Sequence, residues 1–506
     1  MAHRRRLSQA AQTAIADLVQ LARPAAAAGT GTGTSAAAGA ADRAAEASRI
    51  GDVLAHQLRA EWAAFQAPDV ARVVGAFGSL AVLKTNLLEA AAAHTLRGLA
   101  AYPPYALCNV LNGFARLHHH HKPLFQAAAA HLAQPATAQQ MSTVDISAVL
   151  FAYAQLAHQD GPFLEAMKQR LRELGDEVDG PNCAAVLNSF SRLREGDVHT
   201  FNVLGRALLQ TRPESFAVNH ITMIMNAFAK CGVRKAQTMQ LLSGYLEGRV
   251  PEMLPQNIVQ VVHACARLKI FNPVLFHEIQ KRLLEEELAA YKLFELTTVT
   301  HSLAKLGFGG RKLFRRLFAE LGGRPRGNWE KMALPQVLDA MRRCSTRKSN
   351  PVPVPRELLP SLIGIFLENM CQEDVHGLTQ TSWCLLELDA LELADDLQQP
   401  RLGADNPDAV DVTLAEADIY EPAARRLMRI VLERMEELAA ESPLTPTQRN
   451  YAQQMVRTYR YMHEADFNHQ PQRVKAFCRS LFDLPAPLAE GAARTLRRPP
   501  RPPPIS

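Results

Sequence analysis

The sequence predicts an all-α protein, an α-solenoid of stacked helical hairpins with a period of about 37–38 residues, on three observations. An eight-residue anchor recurs as VVGAFGSL (73–80), VLNGFARL (110–117), VLFAYAQL (149–156), VLNSFSRL (186–193), IMNAFAKC (224–231), VVHACARL (261–268), VTHSLAKL (299–306) and VLDAMRRC (337–344), with starts 37, 39, 37, 38, 37, 38 and 38 residues apart. A second apolar series tracks the first. Eight residues beyond the anchors stand Leu88, Phe125, Leu164, Phe201, Met239, Phe276 and Phe314, and seven further on come Leu132, Leu171, Leu208, Leu246, Leu283 and Leu321. Composition agrees, since the chain is 47% hydrophobic but only 6% aromatic, and its abundant Ala and Leu favour helix over strand.

The elements follow in order. Residues 1–49 open with Arg4, Arg5 and Arg6, carry no acid before Asp17, and space Leu7, Ala11, Ile15 and Leu18 as a helix would. That is the composition of a mitochondrial or plastid transit peptide, or of a basic arm. The run AAAAGTGTGTSAAAGAA then reads as a flexible linker, placing the start of folded structure near Ile50. Residues 50–346 form the solenoid, each unit a helix A carrying the anchor, a turn, a helix B and a connection often marked by proline (Pro181, Pro213, Pro255, Pro335).

Within the anchor, positions one, five and eight are apolar and should be buried. Positions four and six are nearly always Gly, Ala or Ser, as at Gly113 and Ala115, Ser189 and Ser191, or Ala227 and Ala229, so neighbouring helices can approach closely. One such hairpin cannot bury its apolar face alone, and stacking is the remedy. Residues 347–388 hold a Pro-rich insertion and a degenerate ninth anchor, TSWCLLEL (381–388). Residues 389–421 read as an acidic loop, 422–484 as C-terminal helices, and 485–506 as a basic, Pro-rich tail.

Charge is distributed unevenly. Residues 100–348 carry 30 Lys and Arg against 20 Asp and Glu, residues 349–445 carry 6 against 19, and residues 446–506 carry 10 against 4. A basic body suits a polyanion, while the acidic block from Glu357 to Glu441 suits protein partners. The eight cysteines are scattered without metal-ligand spacing and read as small buried hydrophobes. The four histidines at 118–121 read as a solvated turn with no carboxylate at ligand spacing. No metal, no cofactor and no catalytic constellation is predicted, and no apolar run is long enough for membrane insertion.

What remains is the polar face of helix A. Positions zero, three and seven share one face, counted from the residue before the anchor. They include Asn109, Asn112 and Arg116; Asn188 and Arg192; Asn226 and Lys230; Gln260, His263 and Arg267; His301 and Lys305; and Arg343. Stacked units would turn them into a stripe of cations flanked by amides and imidazoles. Such a stripe can neutralise phosphates and hydrogen-bond the edges of unstacked bases in single-stranded or ribosomal RNA. A cation near a helix C-terminus is also favoured by the helix dipole alone, whatever the protein binds.

The units NAFAKCG (226–232) and SLAKLGF with RKLFRRLFAEL (302–308 and 311–321) resemble the heptatricopeptide repeats, and more distantly the octotricopeptide repeats, of organellar RNA-binding proteins. The resemblance covers roughly residues 70–346 and implies a mitochondrial, or alternatively plastid, RNA-binding protein, some of whose relatives hold ribosomal RNA in mitochondrial ribosomes. The nuclease-like RAP domain that ends many members is not recognisable here, which favours binding over processing. The competing expectation is a protein-interaction scaffold that takes a peptide or helix in its groove.

Overall fold

The computed structural model describes residues 7–22, 33–60, 64–325, 329, 333–348, 350–390 and 423–482. Among them no strand occurs, and the helices pack as stacked hairpins of an α-solenoid. The chain divides into two compact units, Met1–Ile279 and Gln280–Ser506.

The first unit holds α1 (Gln9–Ala22), α2 (Gly33–Ala60), α3 (Ala67–Leu80), α4 (Thr85–Arg97), α5 (Pro104–Arg116), α6 (Lys122–Leu132), the short α7 (Pro135–Ala138), α8 (Thr143–Gln155), α9 (Gly161–Leu174) and α10 (Gly180–Leu193). It continues with α11 (Val198–Gln210), α12 (Val218–Cys231), α13 (Ala236–Gly244), α14 (Pro255–Leu268) and α15 (Pro273–Glu285), within which the division falls. Helices α1, α3, α5, α8, α10, α12 and α14 pack each on the next as one layer, and α2, α4, α6, α9, α11 and α13 form the layer beside it. The second unit holds α16 (Leu293–Leu306), α17 (Arg311–Gly322), α18 (Ala333–Ser345), α19 (Leu359–Asn369), α20 (Val375–Glu387), α21 (Ala423–Glu441), α22 (Pro446–Met462), α23 (Glu464–Asn468) and α24 (Gln472–Ser480). There α16, α18, α20 and α22 make the corresponding layer, and α21 packs on both α20 and α24.

Every anchor lies at the C-terminal end of an A helix. Positions one and five are sealed, for example Val110 and Phe114, or Ile224 and Phe228, all at 0% exposure. The second series is equally buried from Leu88 to Leu321, including Leu246, although α13 already stops at Gly244. Position eight departs from expectation, because Leu80, Leu156, Cys231 and Leu306 are half-buried. It sits in the last turn, where the chain is already leaving the layer. The small residue at position four does let helices close up. A Cβ added to Gly113 of α5 would lie 2.6 Å from Val74 Cγ1 and 2.7 Å from the Val74 carbonyl oxygen on α3.

The exits from the A helices share a design the sequence hides. The residue just after the anchor is left-handed at Ala81, His118, Ala157, Arg194, Gly232, Lys269, Gly307 and Asp389, with φ between 50° and 71°. The next N–H returns to the carbonyl of anchor position five, as in His119 to Phe114, Val233 to Phe228 and Phe308 to Leu303, at 3.0–3.1 Å. This is a C-terminal cap that satisfies an otherwise orphaned carbonyl. Ala390 makes the same bond to Leu385, which marks TSWCLLEL as a ninth anchor. Only two of the eight sites are glycine, though glycine alone adopts this conformation without steric cost. Exchanging the exposed Lys269 for glycine is therefore expected to raise stability by about 0.5 kcal/mol, since relief of about 1 kcal/mol is partly offset by a freer unfolded chain. The urea midpoint at unchanged slope reports it.

The N-terminus differs from the expectation that folded structure starts near Ile50. Helix α2 begins at Gly33 and not near Ile50, and α1 is docked on α2 and α3 with Ala11, Ile15 and Leu18 at 4% exposure or less. The pair stacks as a further hairpin, because the amphipathic stripe that a transit peptide would show is also what an end repeat needs. At the other end, α22 continues the A layer with Ala452, Val456 and Tyr459 buried at the anchor spacing, and the C-terminal helices expected over 422–484 are α21, α22, α23 and α24, with breaks at His463 and before Gln472. The Pro-rich insertion is the connection between α18 and α19. Most of the acidic loop at 389–421 and the whole tail at 485–506 lie outside the described residues. Among the described residues seven cysteines are free thiols, and burial pushes those of Cys265, Cys344 and Cys384 up to about 12.

Candidate nucleic-acid interface

Positions zero, three and seven do share a surface. In the first unit a cleft of about 460 Å³ between α3 and α5 is lined by Arg72, Gly75 and Ser79 from one helix and Asn109, Asn112 and Arg116 from the next, the same three positions on each. Stacking brings equivalent positions of successive repeats within reach. Arg116 Nη1 donates to Ser79 Oγ at 3.5 Å and Arg192 Nη1 to Gln155 Oε1 at 3.0 Å, both between position-seven residues 37 apart in sequence.

The two rows differ in accessibility. At position seven, Arg116, Arg192, Lys230 and Arg267 are exposed. At positions zero and three, Asn112, Asn188, Asn226, Gln260 and His263 are half-buried, whereas Asn109 is exposed. Asn112 Oδ1 and Gln260 Oε1 are buried yet accept no hydrogen bond. Leaving a buried acceptor unpaired costs about 1–3 kcal/mol, so these amides are suited to a ligand donor. The face thus offers cations at its rim and unsatisfied amides in its floor.

The second unit is arranged differently. His301 and Arg343, expected to face RNA, are both turned onto Asp339. His301 Nε2 lies 2.8 Å from Asp339 Oδ2, Arg343 Nε donates to the same oxygen at 2.6 Å, and Arg342 Nη2 donates to Oδ1 at 2.6 Å. Burial pushes the Asp339 carboxyl upward, but hydrogen bonds from His301, Arg343 and Arg342, with the Arg342 charge, hold it well below its ordinary 3.8. Lys305 is exposed at the rim and also takes part in an interaction.

Because the folded value is depressed, Asp339 contributes stability that is complete above 3.8 and is lost as pH falls toward the folded value. Asp339→Asn is expected to cost about 3 kcal/mol at neutral pH by leaving the Arg342 and Arg343 guanidinium groups uncompensated and weakening the contact with His301. The gap to the wild type should close in acid, as paired urea melts at the two pH values would show.

Around this centre lie residues that the sequence reading passed over. A cleft of about 290 Å³ is lined by His301, Lys305, Asp339 and Arg343 together with His376, Gln380, Trp383, Tyr451 and Gln454. Gln380 and Trp383 occupy positions zero and three of the ninth anchor, so the same rule extended to TSWCLLEL would have found them. The Arg342 guanidinium sits 4.5 Å from the centre of the Trp383 ring, and the His376 and Tyr451 rings lie 5.2 Å apart. Aromatic faces beside cations are what single-stranded RNA binders use to stack bases.

The histidines at 118–121 need correction. They are tied to neighbouring repeats and not simply solvated. His119 Nε2 is 3.1 Å and His121 Nε2 3.6 Å from Glu89 of α4, and His120 pairs with His158 at 3.1 Å. Stacking supplies the carboxylate that linear spacing does not. Burial, then the neighbouring His120, lowers the His158 pKa. No group of three or more potential metal ligands occurs among the described residues, and no described helix is long and apolar enough to cross a membrane.

No protein-family model matches the chain, and neither does any curated protein. Among solved structures the chain is similar to one in a homology model of the full-length AP-3 complex in an intermediate open conformation, at 10% sequence identity and a TM-score of 0.23, over 93% of this chain and 87% of that one.

Proposed function

We propose that the protein is a non-catalytic RNA-binding α-solenoid of an organelle, most simply a mitochondrion, that holds single-stranded or ribosomal RNA along the polar face of its A helices. The observation that carries this reading is the cleft between α3 and α5, where positions zero, three and seven of both helices converge with an exposed Arg116 and an unpaired Asn112 acceptor. Cations at the rim can neutralise a phosphate strand while amides in the floor meet base edges. The likeness of residues 70–346 to heptatricopeptide repeats supports the organellar setting, in a mitochondrial ribosome or an RNA-stabilising complex. Other proteins of that complex would meet the acidic block.

Ultraviolet crosslinking in intact cells, denaturing purification and sequencing of the attached RNA test the proposal. Footprints on organellar ribosomal RNA support the ribosomal setting, and footprints on messenger or precursor RNAs support transcript stabilisation. Absence of RNA above background would sink both and favour a peptide-binding scaffold, whose affinity would change little with salt.

A further inference from the structure

A second basic cleft lies off the face just described. It has a volume of about 460 Å³ and is lined by Val456, Arg457 and Arg460 of α22, Phe467 of α23, Lys475, Cys478 and Arg479 of α24, and Phe482. Four cations face it, and none of its lining residues is a carboxylate. Two acids adjoin the lining residues in sequence: Asp466 is held by Arg425 at 3.1 Å, and Asp483 lies outside the described residues.

The cations are positioned by the rings and the backbone. The Arg457 guanidinium lies 5.2 Å from the centre of the Phe482 ring and that of Arg460 lies 5.8 Å from Phe467. Lys475 Nζ donates to the Asn468 carbonyl at 3.1 Å, and Arg479 Nε to the Lys475 carbonyl at 3.3 Å. No ion pair involves any of these four cations among the described residues. An arginine stacked on a ring keeps its N–H edges available to an anion, and the guanidinium fork matches a phosphate. The floor of Val456, Cys478 and the two rings is apolar, which suits a flat ring system better than the short side chains of an acidic peptide. The volume lies in the range of small-molecule sites.

We propose that this cleft holds one nucleotide of the bound RNA, its phosphate among Arg457, Arg460, Lys475 and Arg479 and its base against Phe467 and Phe482, an inference that rests on the RNA-binding reading above.

The test uses the full chain and a fluorescently labelled oligouridine, with anisotropy titrations at several salt concentrations. Arg460→Glu combined with Arg479→Glu is expected to weaken binding about tenfold and to lower the salt slope by about 0.7, the value of one single-strand phosphate contact. In the unmutated protein, 4-thiouridine within the oligomer should crosslink to the peptides containing Phe467 or Phe482, a readout independent of how the variant folds. Wild-type binding with unchanged affinity and slope in the variant, or crosslinks confined to the repeats, would overturn the cleft alone. No oligouridine binding by the wild type would remove the RNA reading and this inference with it. Binding of an oligoglutamate peptide that the variant loses, with RNA affinity intact, would assign the cleft to an acidic protein instead.

Discussion

Charge reversal at Arg192, Lys230 and Arg267 together is expected to weaken single-stranded RNA binding about fiftyfold at physiological salt and to reduce the salt slope by about 2. The estimate follows from counterion release, which contributes about 0.7 of a log unit in slope per phosphate on a single strand. All three side chains are exposed at position seven of consecutive A helices. Their replacement should therefore leave stability within about 0.5 kcal/mol. Titration of labelled RNA against the variant at several salt concentrations, beside a urea melt, separates the two quantities. An unchanged slope would mean that the rim cations merely complete helix termini.

Phe228→Ala is expected to cost about 4 kcal/mol of stability, the size of effect that removing a fully enclosed phenyl ring produces. Phe228 is at 0% exposure, and its ring meets Phe201 of α11 edge-on at 5.1 Å between centroids. The loss combines transfer of the ring, the cavity left behind and the aromatic pair itself. Each repeat touches mainly its neighbours, so the damage should be uneven. Hydrogen exchange is expected to show the largest loss of protection in α10–α14 and progressively less toward α3 and α1. A uniform loss across the first unit would show that it unfolds as a single block.

The repeats were legible because a period near 37–38 fixes both helix type and stacking partner. Position four at Gly113 and position five at Phe114 behave as their residue types demand. What the sequence concealed is conformational or non-local. The left-handed exit is invisible when Lys269 or Arg194 fills it, since neither residue type announces a positive φ. The first hairpin was legible in part, as AQTAIADL (11–18) carries apolar residues at positions one, five and eight and alanine at four and six, yet the long connection to VVGAFGSL breaks the period. In the first unit, positions zero, three and seven of α3 and α5 line one cleft, as their spacing requires. Around Asp339, spacing does not disclose the pairing, because that buried carboxylate holds Arg342, Arg343 and His301 through contacts within and between helices.

The ties between repeats have a consequence for how the chain reaches this state. Bonds that cross from one hairpin to the next, such as Arg192 to Gln155 or His301 to Asp339, span 37 and 38 residues of a 506-residue chain. Relative contact order is therefore low, and loops are closed in short, similar steps instead of one long search. A nascent chain can complete and dock each hairpin soon after its second helix emerges. Folding can then advance vectorially behind synthesis, with one unpartnered apolar face exposed at the growing end.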